Sequence, residues 1–418
     1  MPWYVGVMSA TGGSGDRFET SVGFPAVGFE AQTWDWQGQR PRGRADRMFR
    51  DYHSTVPPEI ADLDLQLSRG THTAINVAAA AIAELERDPN LQYAGISGAL
   101  LRSESVGSSK IERLDVDARS LGLAAIDEAR PASDAAQVWA NVAAMNVAID
   151  AATAGPITAD TFSRIHATLM SDDPYEKAYA GRFRDVQNWI GGSDECPRDA
   201  LHIPPAPHRV PALMGDVARW CNRGDVHPIV CAAIAHAQFE TIHPYTDGNG
   251  RTGRSIVHTI LRRSGLVTAS IVPTSAALTD VNAYFDSLDA YRRGDVDSYL
   301  QHFAAATTRA SSEAQRLGGE LKAISSEWQD RTRVRAGSVA ATIVSGLIQQ
   351  PVISATINAA IPARPEPSTI YRAIDVLVAA GILTEITEAK RNRVWAALDI
   401  TAALDDFTRR LGRRQPGW

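Results

Sequence analysis

The feature that most constrains this chain is a succession of alanine-rich amphipathic segments joined by short polar turns. Ile75, Ala79 and Ile82 recur at helical spacing before Asp88-Pro89 stops the run, and residues 94–101, 133–151 and 158–170 repeat the pattern. Pro58 can sit in a first helical turn, so helix is expected from Pro57 onward. Further helices are expected at 210–221, 228–241, from near Arg251 to Arg263, and over 284–305. Helix following helix predicts an all-α body.

The 418 residues correspond to two or three domains at about 150 residues each. With 44% hydrophobic and 22% charged residues, the chain has the composition of an ordinary globular protein. Since no window approaches ~18 uninterrupted apolar residues, no membrane association is expected. A net charge of −6 argues against a surface coated for bulk nucleic-acid binding. Cys196, Cys221 and Cys231 form no C-x-x-C pair, and residues 1–15 lack the basic-then-apolar run of a secretory leader. The expected location is the cytoplasm.

Residues 1–56 read as an irregular, solvated arm carrying Trp34, Trp36 and the basic stretch Arg40, Arg42, Arg44, Arg47 and Arg50. A helical region follows over 57–152, then a core over 153–310, a polar connecting helix over 311–335 and a compact module over 336–418. Within the core, 183–207 interrupts the helices. Two short β-prone runs flank Gly191-Gly192, which predicts a small β-hairpin lying as a flap on the helical body.

The densest chemistry lies in His243-Pro244-Tyr245-Thr246-Asp247-Gly248-Asn249-Gly250-Arg251-Thr252-Gly253-Arg254. Gly248 and Gly250 allow successive backbone N–H groups to point inward as an anion-binding nest, and a helix starting beside them adds its positive end. Arg251 and Arg254, three apart, share a face and can grip phosphate oxygens. Asp247 supplies a hard carboxylate suited to Mg²⁺. His243 is placed to take a proton near neutral pH. Together these residues describe metal-assisted transfer from a nucleotide to a hydroxyl.

The stretch resembles the signature of the Fic (filamentation induced by cyclic AMP) family, His-x-Phe-x-Asp/Glu-Gly-Asn-Gly-Arg-x-x-Arg, with Tyr245 at the usual Phe position, a core anchor. The resemblance extends through Ile165-His166, Gly181-Arg182-Phe183-Arg184, the proline-bounded flap and Ala235-His236-Ala237-Gln238-Phe239-Glu240. It implies an all-α Fic core with transfer of AMP from ATP to a Ser, Thr or Tyr hydroxyl of a target protein. His243 is then the base, and Asp247 holds Mg²⁺. Asn249 and the backbone of Gly248 and Gly250 line the anion hole, in a phosphate-binding stretch that continues through Thr252 and Gly253, with Arg251 and Arg254 on the β- and γ-phosphates. Glycine at 250, where the phosphorylating branch has lysine, favours AMP transfer. Asn188, Trp189, Ile190 and Gly191 match the flap beside nucleotide and target, and Tyr284 and Arg292 match positions near the adenosine.

Ser108-Ser109-Lys110-Ile111-Glu112-Arg113 is similar to the family's inhibitory helix, with Arg113 where a small residue is usual. A Glu112 carboxylate on Arg254 would occupy the guanidinium that the γ-phosphate needs. The same site could instead remove AMP from a modified protein, with Glu112 positioning a water.

In the C-terminal module, Val339, Ile343 and Leu347 have helical spacing, and Pro351 opens a segment over 352–360. Ser368-Thr369 caps a helix ended by Gly381, and two alternating runs flank Lys390-Arg391-Asn392-Arg393. Three helices and a basic-tipped hairpin resemble a winged helix. The function readings are a DNA-binding regulator with a sensing Fic core, or a docking or homodimer surface attached to an enzyme. The second is favoured, because the helix ended by Gly381 carries only Arg372 and Asp375 as charges.

Overall fold

The computed structural model describes residues 23–412, apart from 36–40, 42, 94, 127–132, 333, 357–364 and 388–391. It is mostly helical. β1 (Gly28–Thr33) and β2 (Asp51–Val56) pair antiparallel, Gly28 opposite Val56 and Thr33 opposite Asp51, with the short α1 (Arg44–Met48) between them. The arm expected to be irregular is therefore a hairpin. Its two strands lie on either side of a long connection, so no compact turn marks them in the sequence. Trp36, Arg40 and Arg42 lie outside the described residues.

Helix does not begin at Pro57. The segment 57–68 is a connection whose backbone is held by distant side chains: Asp216 accepts from Ile60 N (2.6 Å) and Ala61 N (3.2 Å), and Gln238 donates to the Pro58 carbonyl (2.7 Å). α2 (Arg69–Arg87) starts where the Ser68 side chain accepts from Thr71 N. α3 (Ile96–Ile111), α4 (Ala118–Ile126), α5 (Asp134–Ala154) and α6 (Ala159–Met170) follow, and Ser133 and Thr158 cap the last two as their sequence positions suggest.

After the flap come α7 (Val210–Cys221), α8 (Pro228–Ile242) and α9 (Asn249–Arg263). Every residue of α8 from Ile229 to Ile242 is buried, which makes it the central helix of the core. α9 packs against it where Gly253 leaves room: a Cβ there would lie 3.0 Å from the Phe239 ring. Beyond α10 (Thr274–Ala277) lies α11 (Val281–Arg292). The single helix expected over 284–305 is interrupted at Gly294, whose φ of 87° an L side chain adopts only under strain. α12 (Val296–Thr332) then runs unbroken along α2 and carries the chain through position 310 into the C-terminal module.

The flap has no strands. Ile190 and His202 form one isolated bridge, with Gly191, Gly192 and Asp199 at positive φ between them. Its pairing potential is spent elsewhere: the Ile203 carbonyl accepts from Thr55 of β2, and Pro197, Pro204 and Pro205 have no N–H to offer.

The C-terminal module contains α13 (Val339–Gly346), β3 (Val352–Ser354), α14 (Pro367–Ala379), β4 (Thr384–Glu385), β5 (Val394–Ala396) and α15 (Leu398–Leu411), with its strands in the antiparallel order β3-β5-β4. The segment opened by Pro351 starts as strand β3, its residues 357–360 lie outside the described residues, and α15 begins where the second alternating run was expected to continue. Lys390 and Arg391 lie outside the described residues. The module is not a separate body, because one hydrophobic core runs from Ile60 through Trp220 and Trp328 to Trp395 and Leu411. It also docks on the segment around α3 and α4. Asp405 accepts from Ala118 N (2.8 Å), Arg102 donates to Gln350 (2.9 Å), and a Cβ at Gly122 would lie 2.4 Å from Val352.

Candidate active site

The turn from α8 to α9 builds the site. His243 ends α8 in the left-handed region (φ 50°), and Gly248 opens α9 in the same region (φ 70°). A side chain at 248 would press on Met170 and Leu169 as well as being strained. Between them the loop is pinned from inside. Asn249 Oδ1 accepts from Tyr245 N and its Nδ2 donates to the Tyr245 carbonyl, both at 2.8 Å. The Asn249 amide is thus spent on shaping the loop, which leaves backbone groups to line the nest. Tyr245 is fully buried, as a core anchor should be, and stacks on His166 with ring centroids 3.7 Å apart.

Arg251 and Arg254 are both buried on one face of the first turns of α9. Asp247 stands at the mouth, its side chain 60% exposed and Oδ2 3.9 Å from Arg251 Nη2, with Oδ1 accepting from Gly248 N (2.6 Å). Burial, then the nearby Arg184 charge, pushes the His243 imidazole down to about 4, so the ring is neutral and able to accept a proton at physiological pH. Thr252 is fully buried, and Gly253 packs against Phe239 of α8.

Ser108 and Glu112, 146 and 142 residues away in sequence, close on Arg254. Arg254 Nε donates to Ser108 Oγ (2.9 Å), and Nη2 donates to the Ser108 carbonyl (2.9 Å) and to Glu112 Oε1 (2.7 Å). Burial alone would raise the Glu112 carboxyl, yet the guanidinium overrides it and holds the group below its usual range. A Cβ at Gly250 would lie 1.9 Å from Glu112 Oε1, so no side chain at 250 coexists with this arrangement. Arg113 sits at φ 66° just past the end of α3, the conformation for which a helix terminus selects glycine or asparagine. The arginine accepts that backbone without diverting Glu112.

On the flap, Asn188 Nδ2 donates to the Tyr245 (2.9 Å) and His243 (3.3 Å) carbonyls, Ile190 forms the bridge, and Gly191 turns at φ 73°. Trp189 donates to the Ser193 carbonyl (2.7 Å) and packs edge-on against Trp34 of the arm. Tyr284 is buried near Arg254 with its hydroxyl 2.8 Å from His236 Nε2, and Arg292 donates to Asp289 (2.8 Å).

Residues 156–261, which hold the flap and the whole motif, match the Fic/DOC family. The chain carries a Fic/DOC family domain. The protein adenylyltransferase Fic of Culex quinquefasciatus is 28% identical over 255 residues, covering 59% of this chain and 45% of that protein. The protein of the same name from Nematostella vectensis is 33% identical over 157 residues, covering 37% of this chain and 33% of that one. The chain thus spans less than half the length of these curated relatives. In fold it is similar to a Fic family protein from Desulfovibrio desulfuricans G20, with a TM-score of 0.50 and 20% identity over 79% of this chain and 97% of that one.

Three side chains inside the Fic domain carry geometry to which the sequence reading gave no role. His166 Nδ1 accepts from Gly181 N (2.8 Å), so its Nε2–H donates to the Asp247 carbonyl (3.0 Å) and holds the turn at Asp247. Burial drives that ring down to about 4, which keeps it in this neutral form. Glu240 is buried between Arg254 Nη1 and His243 Nδ1, 4.0 Å from each, and burial pushes its carboxyl up to about 7. Arg184 is 4% exposed and spans the motif and the flap. Each is a polar residue at an internal helical or loop position, and only its burial, which depends on distant neighbours, distinguishes it from a surface residue.

Proposed function

We propose that this chain transfers AMP from ATP to a hydroxyl of a target protein and that Glu112 restrains the reaction. The observation that carries this reading is the convergence of a neutral, part-buried His243, an exposed Asp247 and two buried arginines on the N-terminus of α9. Relatives named protein adenylyltransferase Fic support it. His243 takes the proton of the attacking hydroxyl. A bond forms from that oxygen to the α-phosphorus while the bond to the bridging α,β-oxygen breaks and pyrophosphate leaves. The backbone N–H groups at Gly248 and Gly250 and the guanidiniums of Arg251 and Arg254 hold the phosphate oxygens.

Mg²⁺ fits Asp247. The carboxylate is hard and exposed at the edge of the nest, and among the described residues no group of three or more acidic, His or Cys side chains offers an all-protein cage. That suits a cation that completes its shell with phosphates and water, and it would neutralise charge on the leaving pyrophosphate. With Glu112 on Arg254, the γ-phosphate loses its grip and the α-phosphorus is misaligned for attack.

We place the target protein at the flap. We read the C-terminal module, whose described elements run α13-β3-α14-β4-β5-α15, as winged-helix-like. Beside Arg372 and Asp375, the exposed face of α14 presents Val376 and Val378, which favours a docking or dimer surface over DNA. The test is incubation of the full chain with ATP labelled on the α-phosphate and a cell lysate, with mapping of modified peptides. Label on hydroxyl side chains, lost with a chelator, is expected. Transfer of γ-label instead would overturn the reading. Loss of AMP from a pre-modified protein, abolished in Glu112→Gly, would favour the reverse reaction.

A further inference from the structure

Arg184 has an unusual environment for a buried cation. Among the described residues no carboxylate lies within ion-pair distance of it. Its charge is met by carbonyl oxygens alone, an arrangement that costs desolvation without the return of an ion pair. Nε donates to the His243 carbonyl (2.8 Å), Nη1 to Val186 (3.0 Å), and Nη2 to Pro205 (2.6 Å) and Ile242 (3.3 Å). Its own backbone N–H donates to the Pro244 carbonyl (2.9 Å). Val186 and Pro205 are the two stalks of the flap, just outside the Ile190–His202 bridge. Ile242 and His243 form the end of α8, where the backbone turns left-handed. One planar fork therefore ties both stalks of the flap to the peptide that carries the base.

We propose that Arg184 is a positioning residue that fixes the distance between the His243 imidazole and a hydroxyl presented by the flap. Two consequences follow, and they separate. The fork geometry sets alignment, and a misplacement of about 1 Å costs on the order of 100-fold in rate. Burial is the main cause that keeps the imidazole neutral, and the Arg184 charge adds to it, alongside Arg292 and against Glu112, with Glu240 and His202 the other titratable groups facing the ring. Lysine preserves the charge but cannot reach four carbonyls, whereas glutamine removes the charge as well.

The alignment half rests on the AMP-transfer reading; the charge half does not. The experiment uses the full chain with Glu112→Gly as the unbraked parent, and adds Arg184→Lys or Arg184→Gln. Label transfer gives kcat and the KM for ATP, and NMR follows the His243 ring through its titration. In both variants kcat is expected to fall roughly 10- to 100-fold, with the KM for ATP within about twofold of the parent, because the phosphate-binding groups of α9 are untouched. The His243 titration moves to higher pH in Arg184→Gln and stays put in Arg184→Lys. Full kcat in Arg184→Lys, or an unmoved His243 titration in Arg184→Gln, would overturn the proposal. So would loss of folding in both, which would make Arg184 a scaffold residue only. If the parent itself transfers no AMP, the activity reading fails, while the titration still decides what the Arg184 charge does.

Discussion

The motif loop between α8 and α9 and the flap beside it are both irregular backbone, and they are held in opposite ways. Residues 243–248 are closed from within by Asn249 and from behind by His166 and Arg184, with Tyr245 fully buried. The flap has a single bridge, and its loop exposes Leu201 at 83% and Val186 at 54%. On the proposed reading, chemistry that needs reacting atoms aligned within fractions of an ångström falls on the rigid side, and recognition of another protein, which tolerates adjustment, falls on the loosely held side. The arm stiffens the flap where it can, through Trp34 on Trp189 and through Asp46, which accepts from Arg198 Nε (2.7 Å).

The strongest way to break this comparison is at the base. His243→Ala is expected to lower label transfer by roughly 100- to 10,000-fold while ATP binding, followed by calorimetry, stays close to that of the parent. Substantial transfer by that variant would move the chemistry off the rigid loop. The next effect has the opposite sign. Glu112→Gly frees Arg254, and because Glu112 is part-exposed at the rim, a gain of roughly tenfold to at most a hundredfold is expected. Adding Arg254→Ala should erase that gain. Measured without nucleotide, the Arg254–Glu112 pairing weakens as pH falls through the depressed Glu112 value, since protonation discharges the carboxylate.

Glu240 sharpens the comparison through stability. Its carboxyl is raised by burial to about 7, so the folded protein binds this proton more tightly than the unfolded chain does. That contribution is fullest below the ordinary carboxylate range and is lost as pH rises through about 7. Glu240→Gln removes the titration, and denaturant unfolding should show it more stable than the parent by roughly 1–3 kcal/mol at pH 8, with little difference at pH 5. The smallest effect is on the flap. Leu201→Asp should leave unfolding within about 0.5 kcal/mol, because the side chain is already in water. Target modification should fall with the KM for ATP unchanged, and equal modification would place the docking surface elsewhere.

What the linear sequence determined is what neighbours in the chain decide. The α8–α9 signature is contiguous, so glycine geometry, a helix N-terminus and the spacing of Arg251 and Arg254 could be read directly, as could the helix that begins after Ser133. Arg113 is an intermediate case: the position calls for a left-handed residue, but only the folded backbone reveals why. The pairing of β1 with β2, the loss of strands in the flap and the seating of the C-terminal module on α3 and α4 were decided by the tertiary structure. So were the burial of Glu240 and the grip of Arg184 on both flap stalks. Each depends on groups brought together from far apart in the chain. Whether a carbonyl is already bonded, or a charge already dry, is set by those partners and not by the residues beside it.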